Sequence, residues 1–249
     1  MSTGEVHEKT KRVCLLTGAG GLLGSEFCRR YAGEYDIVAV CRTRAPAVPT
    51  QHEQYVDPLA PGEDLPENRD AVHAVYADLT DPRDVERVIE VALARFGGVD
   101  ILVNNAAHLG GYPHTMLDGD AALHDLEAHL LTNVVAPFRL AVRLAQESWQ
   151  HRAADNRARG RNVVNVSSLS GLHTYPFLGQ AGYGASKAAL NALTVHQAHE
   201  FGRFGVRVNA VVPDSFPARV ATSAVADAVV HLDRGDATGE AVVVERPAG

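Results

Sequence analysis

The chain has 249 residues, of which 46% are hydrophobic and 21% charged, an ordinary composition for one globular domain. Its 23 basic and 30 acidic side chains give a formal net charge of −7, which argues against a nucleic-acid-binding surface. No apolar run reaches the roughly 18 residues of a membrane-spanning helix, and residues 1–10 lack the apolar core of a signal peptide. We therefore expect a cytoplasmic protein without nucleic-acid or membrane partners, with a disordered tail (residues 1–10) and a single domain (residues 11–249).

The first structural signal is a glycine-rich turn between a strand and a helix. Arg12–Leu16 predicts a short buried strand, Ser25–Tyr31 predicts a helix, and Thr17-Gly-Ala-Gly-Gly-Leu-Leu-Gly24 joins them. This order is typical of a dinucleotide-binding unit, in which a pyrophosphate rests on amide groups at the helix N-terminus. A turn that binds no ligand is the alternative.

The glycines of this turn have separate expected roles. Gly18 permits the tight turn, and Gly24 permits close packing of the helix. Gly20 or Gly21 lets the backbone approach the pyrophosphate, because a residue without a Cβ leaves that space open.

The end of the second predicted strand, Ile37–Cys41, bears on the choice of cofactor. Dinucleotide folds that prefer NAD place an acidic residue near this end to hold the ribose hydroxyls. Here Asp36 stands at the strand's beginning, whereas Arg42 and Arg44 follow its end. Guanidinium groups bind phosphate oxygens in paired geometry, so NADP(H) is favoured over NAD(H). The alternative is that both arginines are solvated surface charges.

A proline-rich stretch, residues 45–69, shows no sustained helical period and is interpreted as a surface insertion. Beyond it, strands and helices alternate, which indicates a parallel sheet covered by helices on both faces. Asp81-Pro82 is typical of a helix start and Gly97-Gly98 of a helix end. The predicted elements are strands Val72–Ala77, Asp100–Val103, Asn162–Val166, Val206–Val212 and Ala241–Glu245, and helices Pro82–Phe96, Ala121–Gln150, one carrying Tyr183 and ending near Phe204, and Ala224–Leu232.

Tyr183 and Lys187 are four residues apart and therefore lie on one face of their predicted helix. A phenol titrates near about pH 10 in water, and a neighbouring ammonium lowers that pKa. Ser168, at the end of the preceding strand, would hydrogen-bond both the phenol and a substrate oxygen. The trio predicts a proton donor or acceptor at a carbonyl or alcohol.

Six motifs stand in order along the chain: Thr17–Gly24, Asn104-Asn-Ala-Ala107, Asn133, Ser168, Tyr183-Gly-Ala-Ser-Lys187 and Arg207-Val-Asn-Ala-Val-Val-Pro213. Together they resemble the short-chain dehydrogenase/reductase family, over roughly Lys11 to Val244. The resemblance implies one α/β domain with a Rossmann-like, doubly wound, mostly parallel sheet of seven strands that binds NAD(H) or NADP(H). It also implies a homodimer or homotetramer built on the helices that hold Asn133 and Tyr183.

The resemblance assigns roles to four residues. Tyr183 would be the acid/base, and Lys187 would lower its pKa and hold the nicotinamide ribose. Ser168 would orient the substrate carbonyl, and Asn133 would anchor a water in the proton path.

The resemblance also implies a set of cofactor contacts. Asp78 would contact the adenine, and Asn105 and Ala106 would line the cofactor. The full expected set is Gly18, Gly20, Gly21, Leu22, Leu23, Gly24, Arg42, Arg44, Asp78, Leu79, Asn105, Ala106, Ala107, Tyr183, Lys187 and Pro213.

Three departures from the family pattern concern the substrate. Ser168 lies two residues farther from Tyr183 than is typical, whereas Ser170 has the typical distance; Ser168 better fits the strand-end serine that precedes a glycine three residues on. The usual glycine after Pro213 is Asp214, and only Ser215–Thr222 stands where the family has a long substrate-covering segment. We therefore expect an open cleft, or one closed by a partner. Candidates for substrate contact are His108, Ser170, His173, Tyr175, Phe177 and Asp214.

Several of the histidines are candidate metal ligands. His108, His114, His124 and His129 lie in one region but show no i, i+4 pair with a third ligand, so no metal site is expected. The favoured function is NADPH-dependent reduction of a ketone or similar carbonyl, or the reverse reaction. The alternatives are non-redox chemistry, such as cyclisation or dehydration of a large substrate, and a non-catalytic cofactor-binding regulator.

Overall fold

A single parallel sheet of seven strands organises the protein. The computed structural model describes residues 11–110, 115–176 and 178–246, so the predicted tail and Phe177 lie outside the described residues. The strands are β1 (Arg12–Thr17), β2 (Tyr35–Cys41), β3 (His73–Tyr76), β4 (Ile101–Asn104), β5 (Asn162–Val166), β6 (Arg207–Pro213) and β7 (Ala241–Val244). Their order in the sheet is β3-β2-β1-β4-β5-β6-β7, and all six pairings are parallel. The predicted doubly wound, Rossmann-like fold is confirmed.

Helices cover both faces of this sheet. They are α1 (Leu22–Tyr31), α2 (Pro66–Arg69), α3 (Pro82–Phe96), α4 (Asp120–Leu130), α5 (Ala136–Leu144), α6 (Ala153–Arg159), α7 (Ala181–Gly202) and α8 (Thr222–Arg234). Two π-helical turns, Leu131–Val135 and Ala145–Trp149, and one 3-10 turn, Leu169–Gly171, complete the helical elements that are described. Within the described ranges, no helix is long and apolar enough to cross a bilayer.

The buried strands feed two apolar layers, because successive side chains of a strand point to opposite faces. Leu15 of β1 packs with α3 and α5 in one layer, whereas Cys14 and Leu16 pack with α1 and α8 in the other. Cys14, Cys28 and Cys41 are all free and buried. Burial raises the pKa of the Cys28 thiol to about 12, which keeps this group protonated.

Helix α3 has the predicted bounds, because residues at both of its ends carry recognisable capping signals. The Asp81 carboxylate accepts a hydrogen bond from the Arg83 backbone N–H, and Pro82 occupies the first turn, where a missing N–H costs nothing. Gly97 ends the helix with a φ of 73°, a left-handed conformation that favours glycine. The local sequence at both ends therefore specifies this helix.

The predicted helix Ala121–Gln150 is wrong in one respect, because α4 and α5 are separated by the π turn Leu131–Val135 and a second π turn follows α5. Pro137 explains the first interruption: it has no N–H to donate to the carbonyl one turn earlier, so the regular ladder cannot continue through it. The turn contains Asn133, and π turns of this kind often occur at functional sites.

Two helices were not predicted. Helix α6 buries only Asn156 and so offers no apolar stripe to detect. Helix α2 is a four-residue piece of the proline-rich insertion, which is otherwise irregular apart from one bridge between Thr50 and Val72.

Candidate active site

A cavity of about 930 Å³ opens at the carboxyl ends of the strands. Chain connections leave β1 and β4 in opposite directions across the sheet, and such a switch point is where open α/β sheets bind their ligands. Most of the expected cofactor residues line it, and none of residues 45–69 does. The lining residues from that expected set are Gly18, Gly20, Gly21, Leu22, Leu23, Arg42, Arg44, Asp78, Leu79, Asn105, Ala106, Ala107, Tyr183, Lys187 and Pro213.

Close contacts inside the protein require glycine at two positions of the glycine-rich turn. A Cβ on Gly24 would lie 2.4 Å from the Gly18 carbonyl oxygen, so α1 packs on the turn only because residue 24 is glycine. A Cβ on Gly20 would lie 1.7 Å from the Arg44 carbonyl oxygen. The backbone after β2 thus occupies the space above Gly20, which leaves Gly21 as the glycine that a phosphate can approach.

Helix α1 begins at the cavity without a side-chain cap. Its N-cap residue is Gly21, and no side chain accepts a hydrogen bond from the first turn. The first N–H groups of a helix lack partners inside the helix and carry a partial positive charge. Leu22 and Leu23, which start this helix, line the cavity, so the geometry fits an anionic pyrophosphate.

Thr17 and Asn105 fix the turn against the end of β4. The Thr17 hydroxyl accepts hydrogen bonds from the N–H groups of Asn105 (2.9 Å) and Ala106 (3.0 Å). The Asn105 amide nitrogen donates to the carbonyl oxygens of Thr17 (2.9 Å) and Gly18 (3.1 Å). Asn105 therefore holds the wall of the cavity, a role that its motif did not reveal.

The two arginines after β2 have different surroundings. Arg44 donates two hydrogen bonds to the Gly20 carbonyl oxygen, at 3.0 and 2.8 Å, so its side chain ties this loop to the glycine turn. Arg42 is exposed and lines the cavity, and it has no hydrogen-bond or ion-pair partner among the described residues. Asp36 stands at the opposite end of β2, beside Val13 of β1. Arg42 is thus the guanidinium that remains available to a ligand.

Tyr183 and Lys187 lie on one face of α7, with the Lys187 Nζ atom 5.7 Å from the centre of the Tyr183 ring. Lys187 is 2% exposed and donates a hydrogen bond of 2.8 Å to the Val166 carbonyl oxygen. Burial lowers the pKa of Lys187 from 10.5 to about 8. The ammonium therefore lies beside the phenol in a water-poor setting, where its field acts strongly.

The structure distinguishes the two candidate serines. Both line the cavity, but the Ser170 hydroxyl donates to Gln180 Oε1 at 2.9 Å, which directs its proton toward the start of α7. The Ser168 oxygen accepts from the Ser170 backbone N–H at 3.2 Å and caps the 3-10 turn, so its own hydroxyl proton stays available for another acceptor.

Asn133 lies fully buried behind the cavity wall. Its amide oxygen accepts from the His108 backbone N–H (2.7 Å), and its amide nitrogen lies 3.0 Å from both the His108 carbonyl oxygen and the Ser186 hydroxyl. The side chain thus joins the loop after β4 to the helix that carries Tyr183. Asn133 does not line the cavity itself.

Three of the six candidates for substrate contact line the cavity: Ser170, Tyr175 and Asp214. His108 and His173 do not, and Phe177 lies outside the described residues. Residues 214–221 are all that separates β6 from α8, and Asp214 forms an ion pair of 3.5 Å with Arg219 there. Further lining residues belong to no motif and so were not predicted, among them Thr132, Leu178, Gln180, Phe216 and Arg219.

A polar cluster of His108, Asp125 and His129 stands behind Tyr183. The Asp125 carboxylate lies 2.9 Å from His108 Nε2 and 3.1 Å from His129 Nε2. The His129 ring packs edge-on against the Tyr183 ring, with centres 5.7 Å apart. Burial lowers the pKa of His129, while the hydrogen bond from His108 is the main cause that lowers the pKa of Asp125. The i, i+4 spacing of Asp125 and His129 is a signal in the sequence that histidine pairs alone do not show.

The fold and cavity define a dinucleotide-binding protein of the Rossmann type. The family model described as short chain dehydrogenase matches residues 12–228. An uncharacterized NAD-dependent oxidoreductase of Mycobacterium tuberculosis is 34% identical over 215 residues, which cover 82% of this chain and 71% of that protein. The chain therefore belongs to the short-chain dehydrogenase/reductase family, as its motifs indicated.

Other relatives and solved structures agree with this placement. An uncharacterized oxidoreductase of Schizosaccharomyces pombe is 29% identical over 202 residues. The chain covers 66% of that protein and 27% of a similar oxidoreductase of Bacillus subtilis, less than two thirds of their length. The 3-ketoacyl-(acyl-carrier-protein) reductase of Brucella melitensis, solved with NADH, superposes with a TM-score of 0.76 at 27% identity, with 94% of this chain and 96% of that chain covered.

Proposed function

We propose that the protein is an NADP(H)-dependent oxidoreductase that reduces a ketone or a similar carbonyl to an alcohol, or catalyses the reverse reaction. The observation that carries this proposal is the position of Tyr183, Lys187 and Ser168. All three line one cavity together with the glycine-rich turn and the end of β2. A site for proton transfer therefore adjoins a site that fits a dinucleotide.

The side chains divide the chemistry among themselves. A bound nicotinamide cofactor supplies or takes up the hydride. Tyr183 gives the proton to the carbonyl oxygen during reduction and accepts it during oxidation. Ser168 donates a hydrogen bond to the same oxygen, where negative charge develops. Lys187, buried beside the phenol, stabilises the tyrosinate that remains after proton transfer.

Removal of the Tyr183 hydroxyl tests this mechanism. Tyr183→Phe keeps the ring that packs on His129 but has no proton to transfer. We expect turnover of NADPH with a panel of ketones and aldehydes to fall by about 10³-fold, while the affinity for NADPH, measured by fluorescence titration, stays within about twofold of wild type. A variant that retains turnover would sink the mechanism. If the wild-type protein binds NADPH but reduces no carbonyl compound of the panel, the result would favour the alternative of a non-catalytic cofactor-binding regulator.

The preference for NADP(H) rests on Arg42. Its guanidinium is exposed at the cavity and lacks a carboxylate partner in the parts of the chain that the structure describes, so it can bind a 2′-phosphate in paired geometry. The names of several relatives mention NAD or NADH, which makes the comparison of the two cofactors informative.

Arg42→Ala provides that comparison. We expect the dissociation constant for NADPH to rise about tenfold or more, because one charge-assisted contact is lost, and that for NADH to stay unchanged. The matched control is Arg83→Ala, an exposed arginine on α3 that pairs with Asp81 and does not line the cavity. Equal losses for both cofactors would contradict the preference.

Two chain segments line the substrate end of the cavity. Tyr175, Leu178 and Gln180 come from the loop before α7, and Asp214 and Phe216 come from the short segment after β6. Because that segment is short, we propose that the loop before α7 discriminates between substrates. Apolar and amide side chains there fit a carbonyl compound with a sizeable apolar group.

We also propose a homo-oligomer, as the family resemblance implies. Leu131, Phe138 and Val195 are large apolar side chains on the segment α4–α5 and on α7, and they are 45–46% exposed. Contact between copies would remove this apolar surface from water. A cytoplasmic location stays a prediction from the sequence.

A further inference from the structure

The cluster of His108, Asp125 and His129 has the composition and spacing of a metal site. Two imidazole nitrogens and one carboxylate oxygen lie within 4.8 Å of one another. Ligand atoms about 2.0–2.2 Å from one zinc ion stand about 3–4 Å apart, so the observed spacing needs only small side-chain adjustments. Asp125 and His129 occupy successive turns of α4, and the loop after β4 supplies His108.

The orientation of His129 gives an independent reason. Its Nδ1 atom lies 3.0 Å from the His108 carbonyl oxygen, which can only accept a hydrogen bond, so Nδ1 carries the proton. The other ring nitrogen, Nε2, faces a carboxylate oxygen of Asp125 at 3.1 Å, and a proton or a metal ion can bridge these two atoms. A backbone carbonyl bound to the second nitrogen is also the usual way in which a metal-binding histidine is oriented.

We propose that His108, Asp125 and His129 together bind one divalent transition-metal ion, with Zn²⁺ as the preferred ion. Imidazole and carboxylate ligands suit zinc, and three protein ligands leave one position for water. The side chains of His108 and Asp125 are 34% and 23% exposed, so an ion and its water can enter from solvent. The proposal goes beyond the redox function and does not depend on it.

A bound ion would brace the wall behind Tyr183. The Asn133 side chain bonds both the N–H and the carbonyl oxygen of His108, and the His129 ring contacts the Tyr183 ring. The ion would join the loop after β4 to α4 at this point. The proposed ion would therefore hold these residues in position, and its binding would stabilise the folded chain.

The test uses the full-length, untagged protein after treatment with EDTA. Titration calorimetry with ZnCl₂ is expected to show one ion per chain with micromolar or tighter affinity, and saturating Zn²⁺ is expected to raise the melting temperature. Asp125→Asn and His108→Gln preserve side-chain size and remove a ligand, so each should weaken Zn²⁺ binding by at least about tenfold. The matched control is His124→Gln, an exposed histidine on the same helix, which should bind Zn²⁺ as wild type does.

Nitrogen-15 shifts of the histidine rings separate the ion from a proton. Zn²⁺ bound as proposed moves the Nε2 resonances of His108 and His129 and leaves Nδ1 of His129 protonated. The proposal is overturned if the protein does not bind Zn²⁺, or if Asp125→Asn binds it as tightly as wild type. It is equally overturned if both nitrogens of His129 are protonated and Zn²⁺ leaves them unchanged, because the cluster would then be an ion pair.

Discussion

The two ends of the parallel sheet treat buried charge in opposite ways. At the amino end, Asp233 has a fully buried carboxylate that accepts from Arg12 at 2.8 Å and from the Tyr35 hydroxyl at 2.8 Å. At the carboxyl end, the buried Lys187 ammonium has a backbone carbonyl as its partner and no carboxylate within reach among the described residues. The buried charge at the amino end therefore has a counter-charge, whereas the buried charge at the carboxyl end has only a backbone carbonyl as its partner.

This contrast follows from the cost of burying an ion. A buried charge with a good partner recovers in attraction and hydrogen bonds much of what it loses in hydration. A buried charge without one is held at a cost, and its pKa moves toward the neutral form. The lowered pKa of Lys187 reflects the free-energy cost of burying its ammonium at the cavity.

The largest effect is expected from the paired end. Asp233→Asn keeps the shape of the side chain but leaves the Arg12 guanidinium without its counter-charge, so we expect unfolding in urea to require about 3–5 kcal/mol less free energy. Glu34→Gln is the control, because Glu34 pairs with Arg234 at the surface and such pairs contribute less than about 1 kcal/mol. Similar losses for the two variants would remove the distinction between buried and surface pairs.

An effect of opposite sign is expected at the unpaired end. In the unfolded chain Lys187 titrates at 10.5, but in the folded protein at about 8, so between these values the unfolded state binds more protons and stability rises with pH. Below pH 8 the folded protein carries the full cost. Lys187→Met removes the cost, and we expect it to raise stability at pH 7 by up to about 3 kcal/mol while turnover is lost.

Urea unfolding of wild type and Lys187→Met from pH 7 to pH 11 checks this prediction. The difference between the two proteins should shrink as the pH rises through that window. A variant that is less stable than wild type at pH 7 would show that the hydrogen bond to Val166 outweighs the cost of burial.

The smallest effect concerns the serines. Ser168→Ala removes a donor to the developing oxyanion and should lower kcat by about 10²-fold. Ser170→Ala is the matched control, because that hydroxyl is directed to Gln180, and we expect a change of less than about fivefold. Steady-state rates with one ketone substrate measure both. A larger loss for Ser170→Ala would assign the substrate oxygen to Ser170 instead.

Local signals explain what the sequence predicted well. Helix α3 has a capping Asp81, a first-turn proline and a terminal glycine, and each acts within a few residues. Strand β5 is a continuous buried run with the predicted bounds. Helix α6 had no such signal, because Asn156 is its one buried residue and it is held by distant carbonyl oxygens of Trp149 and Phe204.

Spacing along the chain revealed the Tyr183–Lys187 pair, the glycine-rich turn and the alternating order of strands and helices, because each of these is a property of neighbours in the sequence. Only the tertiary structure shows that Arg44 donates to the Gly20 carbonyl oxygen and that the Ser170 hydroxyl donates to Gln180. It also shows that the Ser168 oxygen accepts from the Ser170 backbone N–H, which leaves the Ser168 hydroxyl proton available. It alone brought His108 beside Asp125 and His129. These contacts join residues from separate elements, and packing of the whole sheet decides which of them meet.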